Sequence, residues 1–162
     1  MRKHYQITSS ALVHAPAEVA YSVIADYREG HPHILPRKYF TYLEVERGGR
    51  GEGTVIRFGM RVLGTSRDFR AAVTEPEPGR VLVERNLEDG GSVSTFVVEP
   101  AGRHSRVTIT TDLTAAPGLR GLAERLLTAA LLPRIYAREL EQLDSVAAER
   151  AGWAAAVAPA GA

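Results

Sequence analysis

The sequence predicts an α+β fold in which a curved antiparallel sheet is covered by a single long helix. Three observations predict it. A strand and a short helix come first, between Tyr5 and Tyr27, a run of alternating segments broken by Gly and Pro turns follows, and one apolar-striped helix extends from about Gly118 to Arg150. Because one helix leaves space above the concave side of such a sheet, we expect a cavity between them. The order of elements therefore places function in that space.

Composition fits one domain and excludes several function classes. The chain has 162 residues, of which 44% are hydrophobic and 24% charged, so we expect one domain over residues 1–150 and an Ala-rich tail over residues 151–162. Twenty Lys and Arg against 19 Asp and Glu give a net charge of +1. No broad positive field attracts nucleic acid, and we expect no nucleic-acid partner. Without cysteine there is no disulfide, thiol nucleophile or thiolate metal site.

Targeting signals are not evident in the sequence. The first residues lack the uninterrupted apolar stretch of a signal peptide. No segment approaches the roughly 20 apolar residues of a membrane span. We therefore expect a cytoplasmic protein without a membrane span, and its oligomeric state, monomer or dimer, stays open.

The N-terminal elements follow from alternation and helix-start signals. Polar and apolar positions alternate over residues 5–13, which predicts a half-buried strand. Pro16 suits the first turn of a helix, Glu18 complements the helix dipole there, and apolar spacing carries that helix to Tyr27. A loop with room for one helical turn at residues 33–35 comes next. Its turn-forming residues are Gly30, Pro32 and Pro36.

The middle of the chain is predicted to be a series of hairpins. Turn signals recur about every dozen residues without a helical segment between them, which indicates antiparallel strands and excludes parallel βαβ units. Glycines 48, 49, 51 and 53 form one connection, and since no helix follows them, they are not a phosphate-binding loop. The predicted strands cover residues 39–45, 54–63, 65–74, 80–87, 93–98 and 106–113.

The last helix carries an apolar stripe with one interruption at Pro133. Proline removes a backbone donor, so we expect a bend near Ala129. That bend either shapes one end of the cavity or only lets the helix wrap over a twisted sheet. The stripe consists of Leu119, Leu122, Leu126, Ala129, Tyr136, Leu140 and Leu143.

Two sequence patterns resemble those of a known superfamily. Residues 14–27 read HAPAEVAYSVIADY, and the end of the last helix reads RELEQL at residues 138–143. In the element order above, they resemble the START-like helix-grip (SRPBCC, Bet v 1-like) superfamily, and most of all its polyketide cyclase/dehydrase and lipid-transport branch, from about residue 5 to residue 147. The resemblance implies a seven-stranded antiparallel sheet wrapped around the C-terminal helix, with two short helices after the first strand. It also implies a cavity for an apolar or amphipathic small molecule. We expect no cofactor.

A narrower resemblance concerns the loop after the first helix. Residues 26–36 read DYREGHPHILP, which is similar to the corresponding segment of coenzyme-Q-binding members of the superfamily. The chain departs from them in having Arg37 and Lys38 where those proteins tend to carry an aromatic residue. Coenzyme-Q-type lipid binding is therefore kept as an alternative.

Arginine and tyrosine are the first candidates for polar groups in the cavity. Alternation places Arg67 on the face of Phe69 and Arg85 on the face of Val83, so both guanidinium groups point inward if those faces do. Polyketide-cyclase relatives place Arg and Tyr in the pocket, so the resemblance implies roles for Arg67, Arg85 and Tyr136. In the alternative, each Arg lies near a strand end and extends to water.

Histidine and threonine give further candidates. His31 and His33 form a His-x-His pair, but a metal site needs a third and usually a fourth ligand, so we expect no metal. His33 is instead a candidate proton donor at the cavity mouth. Thr111 shares the predicted inward face of its strand and either orients a ligand carbonyl or bonds a neighbouring residue.

Other side chains are assigned to the cavity wall and to the outer surface. The candidate wall residues are Phe58, Met60, Phe69, Leu122, Leu126 and Tyr136. On the outer surface we predict a solvated basic patch with acidic cross-strand partners. The patch comprises Arg57, Arg61 and Arg70, with Asp68 and Glu84 as partners.

Three functions are consistent with these patterns. The first is binding of a small hydrophobic, aromatic or polyketide-like molecule. The second is a cofactor-independent cyclase, aromatase or dehydratase in which Tyr136 or His33 moves protons and Arg67 stabilises an enolate oxygen. The third is an interaction module that docks a protein on its outer strands or long helix.

Overall fold

The described part of the chain contains seven strands and three helices, in the order that the sequence predicts. The computed structural model describes residues 1–88 and 90–157. The elements are β1 (Lys3–Val13), α1 (Ala17–Ala25), α2 (His31–Ile34), β2 (Phe40–Arg47), β3 (Val55–Val62), β4 (Thr65–Glu77), β5 (Val81–Asn86), β6 (Val93–Ala101), β7 (His104–Ala115) and α3 (Gly118–Val157).

All seven strands belong to one antiparallel sheet. Its strand order is β1-β7-β6-β5-β4-β3-β2, so consecutive strands from β2 to β7 are hairpin neighbours. The first strand closes the other edge by pairing with the last, with Lys3 opposite Ala115 and Val13 opposite Ser105. This arrangement, with α3 across the concave face, confirms the predicted helix-grip α+β fold.

The alternation of inward and outward residues was predicted correctly on β3, β4 and β7, but wrongly on β5. Leu82 is fully buried opposite Phe96, whereas Arg85 is exposed. Even-numbered residues of β5 therefore face α3, and the predicted inward orientation of Arg85 is wrong. The reason is that Val81, Leu82 and Val83 are all apolar, so alternation does not identify the inner face, and a one-residue shift reverses every side chain.

A polar junction holds the two short helices against the sheet. The carboxylate of Asp26, at the end of α1, accepts backbone N–H groups of Arg28 and Glu29 at 3.1 and 3.0 Å and contacts the Arg50 guanidinium at 2.5 Å. Burial by itself raises the pKa of Asp26, but these donors outweigh it, and the pKa lies below its usual value. The junction fixes the direction in which α2 leaves α1.

The long helix packs over only part of its length. Its C-terminal half buries Ile135, Leu140 and Leu143 against the core. Its N-terminal half leaves Leu122 51% and Leu126 62% exposed, so their prediction as cavity wall is wrong. Three-and-four spacing identifies an apolar face, but it does not show whether another element reaches that face.

Helix α3 extends further along the chain than its predicted end near Arg150. Helix α3 continues to Val157, so part of the predicted tail over residues 151–162 is helical. Residues 158–162 of that tail lie outside the described residues. Within the described residues, no helix combines the length and the apolar character needed to cross a membrane.

Candidate functional site: a cavity between the sheet and α3

A cavity of about 480 Å³ lies between the concave face of the sheet and α3. This volume falls within the range of small-molecule sites, roughly 300–1,000 Å³. Its buried lining residues, such as Ile56 and Ile109, mark the inner end. Exposed lining residues mark the opening, among them Arg2 and Glu124. The predicted cavity between the sheet and the long helix is therefore present.

Most of the predicted site residues from the sheet lie on the cavity wall. The rings of Phe58 and Phe69 stack with centroids 5.3 Å apart, and Phe40 adds a third ring 6.0 Å from Phe58. Arg67 lies at the opening and is exposed. The predicted residues that line the cavity are Phe58, Met60, Arg67, Phe69, Thr111 and Tyr136.

The other predicted site residues lie elsewhere. Arg85 is on the outer face of β5, and Leu122 and Leu126 are exposed on α3. His33 is also exposed, and its contact with Gln142 is made by its backbone carbonyl at 3.2 Å. Its prediction as a proton donor to the cavity is therefore wrong, because the single turn of α2 points the preceding histidine, His31, inward instead.

A hydrogen-bonded trio forms one polar spot on the apolar wall. The hydroxyl of Thr111 contacts the Tyr136 hydroxyl, and on its other side lies 2.9 Å from the Ser94 hydroxyl. Burial raises the pKa of Tyr136 to about 12, although hydrogen bonding of its hydroxyl to Thr111 and Ser94 acts in the opposite direction. The phenol therefore keeps its proton near neutral pH and can donate a hydrogen bond. Thr111 both bonds its neighbours and faces the cavity.

His31 is held rigidly at the inner end of the cavity. Its Nδ1 lies 2.8 Å from the carbonyl of Ile24, so Nδ1 carries a proton and donates it to that oxygen. Its ring stacks on Tyr27 at 4.5 Å and meets Phe96 edge-on at 5.9 Å. The other nitrogen, Nε2, lies 3.7 Å from Oε1 of Glu84. One imidazole nitrogen thus faces the polar end of the site.

Two carboxyl groups complete that end, and neither was predicted to be a site residue. Glu84 receives the Tyr27 hydroxyl at 2.5 Å, and burial together with this carboxylate raises the pKa of Tyr27 well above its ordinary value. Glu139 is only 3% exposed. Burial raises the pKa of Glu139 well above its ordinary value, and the nearby charge of Glu84 raises it further.

Sequence signals for these two residues exist. Glu84 was assigned to the outer face because the alternation of β5 was reversed. Glu139 comes three residues after Tyr136 and four before Leu143, which places it inside the apolar stripe of α3. A charged residue inside a buried stripe is the exception that indicates a functional group.

Within the described chain, no three His, Asp or Glu side chains are grouped so as to hold a metal ion. His31 and His33 lie in different environments, one buried and one exposed. The cavity lining combines an aromatic wall, a hydroxyl spot and a carboxyl–imidazole end. Groups of these types can bury apolar surface and can donate or accept hydrogen bonds.

Comparison with solved structures places this geometry among known folds. The structure is similar to the solution structure of KanY protein (ms6282), with a TM-score of 0.79 and 28% identity over 90% of this chain and 98% of that one. It is similar to the Zhui aromatase/cyclase from a Streptomyces species, with a TM-score of 0.76 and 22% identity over 91% of this chain and 96% of that one. It is also similar to norcoclaurine synthase from Thalictrum flavum, with a TM-score of 0.70 and 18% identity over 93% of this chain and 98% of that one.

No sequence match is found among curated proteins. A family model described as polyketide cyclase / dehydrase and lipid transport matches residues 4–148, which is nearly the whole described fold. The match covers every strand, both short helices and the packed part of α3. The chain therefore belongs to the polyketide cyclase / dehydrase and lipid transport family.

Proposed function

We propose that the protein binds a small, largely apolar molecule, of aromatic or polyketide-like character, in the cavity between the sheet and α3. The observation that carries this proposal is the 480 Å³ cavity with an aromatic wall and few polar groups. Burial of apolar ligand surface supplies about 25 cal/mol per Å². The hydroxyl spot at Tyr136 and Thr111 then fixes the orientation of a ligand oxygen.

Binding is tested by native mass spectrometry of the purified protein with aromatic polyketides, quinones and fatty acids. The quinone arm addresses the coenzyme-Q alternative. We expect one class to form a one-to-one complex whose affinity falls at least about tenfold in Met60→Trp, since the indole fills part of the cavity. The control Leu127→Trp adds the same ring on the exposed side of α3 and should bind as the wild type does. The proposal fails if no class binds here and none of the naphthyl ligands described in the next subsection binds either.

The second candidate function is a cofactor-independent cyclase, aromatase or dehydratase. It is favoured by the Tyr136 phenol and the His31 imidazole on the cavity wall, and by Arg67 at the opening. In such a reaction an acid protonates a departing or enolic oxygen, and a guanidinium stabilises the developing negative charge. The similarity to an aromatase/cyclase supports this candidate at the level of the fold.

Turnover distinguishes the enzyme from the carrier. If the protein is an enzyme, incubation with a reduced or unreduced polyketide thioester mimic gives cyclised or dehydrated product. The rate should then fall at least about tenfold in Tyr136→Phe or Arg67→Ala, while binding of product is retained. A protein that binds the mimic and never converts it is a carrier.

A further inference from the structure

We propose that the inner end of the cavity recognises a positively charged nitrogen, so that the ligand is an amphipathic organic amine whose apolar body lies along the aromatic wall. This inference rests on the proposed function, because it requires that the cavity hold a ligand. It adds the chemical class of the group that the ligand presents to Glu84 and Glu139.

Glu139 is the residue whose surroundings favour a positively charged partner. It is 3% exposed and lines the cavity. Among the residues that the structure describes, none makes a hydrogen bond or an ion pair with its carboxyl group. A buried carboxylate without a partner is strongly unfavourable, so the group either keeps its proton or pairs with a cation. Glu139 lines the cavity, so a bound cation can reach its carboxyl group from there.

The surroundings of Glu139 are also acidic. Glu84 faces the same cavity from β5, and its partners are the Tyr27 hydroxyl at 2.5 Å and His31 Nε2 at 3.7 Å. His31 is the one basic side chain at the buried end among the described lining residues. This imidazole lies near Glu84, and no ion pair joins it to Glu139.

The guanidinium groups of the cavity do not offset this charge. Arg2 and Arg67 line the opening and are exposed, and neither makes an ion pair with Glu84 or Glu139. Glu124 at the opening is acidic, and Tyr136 beside Glu139 keeps its proton near neutral pH. An anionic ligand end would therefore meet repulsion at the inner end, whereas a cation would meet two carboxyl oxygens within a medium of low dielectric constant.

A cation also satisfies Glu139 better than a neutral group does. Burial and the charge of Glu84 raise the pKa of Glu139 because both disfavour its ionised form, and a cation beside the carboxyl group favours that form. A neutral hydroxyl of a ligand would form one ordinary hydrogen bond with the Glu139 carboxyl group. An ammonium group instead forms a charge-assisted hydrogen bond, which is roughly twice as strong. The aromatic wall that leads to this end fits a ligand with an aromatic body.

The test uses three ligands with one apolar body: naphthylethylamine, naphthylethanol and naphthylacetate. Calorimetry on the wild-type protein near neutral pH should give an affinity for the amine at least about tenfold above that for the alcohol, with the acid weakest. In Glu139→Gln, the amine and the alcohol should differ by less than about threefold, while the alcohol binds as before. Glu149→Gln, the same change on the exposed side of α3, should keep the wild-type preference.

A second variant covers the case in which Glu139→Gln does not fold. Glu84→Gln retains an acceptor for the Tyr27 hydroxyl and removes one negative charge, so the amine preference should fall by at least about threefold. Equal affinities for amine and alcohol in the wild type, or a preference that survives both changes, overturn the inference and leave the proposed function intact. The inference is likewise overturned if the wild-type protein binds none of the three ligands but binds a member of the earlier screen. If it binds nothing in either set, the proposed function itself fails.

Discussion

Glu139 is a carboxyl group at a position where helices of this kind usually carry an apolar side chain. It lies in the stripe of α3 between Tyr136 and Leu143, both of which are buried. Its cost to the folded state is the desolvation of the charged form, which no described neighbour compensates. A residue that lowers the stability of the folded state in this way is characteristic of functional sites.

This cost predicts a pH-dependent stability difference between Glu139→Gln and the wild type. Because the folded-state pKa of Glu139 is above its ordinary value of 4.5, its contribution to stability is fully present below that value and is lost as pH rises towards the folded-state pKa. The variant does not titrate there. Its melting temperature should therefore be close to the wild type at about pH 4 and higher by a few degrees at about pH 8, where roughly 2–4 °C corresponds to each kcal/mol.

Differential scanning calorimetry across this pH range provides the measurement. Glu149→Gln should show no such trend, since that side chain is exposed on the same helix. A Glu139→Gln variant less stable than the wild type at about pH 8 would contradict the assignment of Glu139 as an unpartnered buried acid.

Tyr136 is the second residue whose energetics follow from its contacts. Tyr136→Phe removes the hydroxyl that contacts Thr111 but leaves Thr111 bonded to Ser94 at 2.9 Å. We expect a loss of about 0.5–1.5 kcal/mol in the free energy of unfolding, the usual net value of one hydrogen bond. Urea denaturation measures it, with Tyr39→Phe as a control because the Tyr39 hydroxyl has no hydrogen bond among the described residues. Equal losses in the two variants would show that the Thr111 contact adds nothing.

At the scale of elements, the junction of α1 and α2 decides which histidine enters the cavity. Gly30 lies between the two helices, where an added Cβ would collide with the backbone oxygen of Val23 and approach its Cα to 3.0 Å and the Asp26 oxygen to 3.1 Å. Any larger residue must push α2 away from α1. His31 follows directly, so its position depends on this close approach.

Gly30→Ala should therefore destabilise the protein by about 1–3 kcal/mol, the usual cost of overpacking. Ligand binding should weaken in the same variant, since His31 and the neighbouring wall shift. The matched change Gly152→Ala, in a helical position with open space around it, should be neutral or stabilising by up to about 1 kcal/mol. Chemical denaturation measures the free energy of unfolding of both variants. Equal changes in Gly30→Ala and Gly152→Ala would refute the steric argument.

The inner face of strand β5 could not be predicted from its sequence pattern. On β3, β4 and β7 apolar residues flanked by polar residues or glycine identify the inner face, as at Met60 on β3, Phe69 on β4 and Val107 on β7, and these inner faces were predicted correctly. On β5 three consecutive apolar residues, Val81 to Val83, make the two faces equivalent by pattern. Only pairing with β4 and β6 selects the face, and that selection brings Glu84 inward in place of Arg85.

For the whole molecule, the unequal packing of α3 is the main feature. The helix passes from an exposed N-terminal half to a buried C-terminal half near Pro133, which has no N–H to donate to the carbonyl of Ala129. Glu124 and Thr128 from the exposed half line the cavity opening. The half of the helix that borders the entrance thus has the fewest buried contacts.

Hydrogen exchange should follow this division. Amides of residues 119–130 should exchange faster than those of residues 135–147, because local opening is easiest where few apolar contacts must be broken. Mass spectrometry of the free protein measures both segments, and addition of a bound ligand should slow the first segment more than the second. Equal protection along α3 would contradict a weakly held N-terminal half.

The sequence by itself determined the order of elements, the antiparallel sheet, the long closing helix and most of the aromatic wall. These follow from periodicity, turn residues and helix signals, which are local along the chain. Only the tertiary structure decided that His31 rather than His33 faces the cavity, that Glu84 rather than Arg85 does, and that Leu122 and Leu126 stay exposed. Each of these depends on which surface another element covers, and burial of that kind is a property of contacts between residues far apart in sequence.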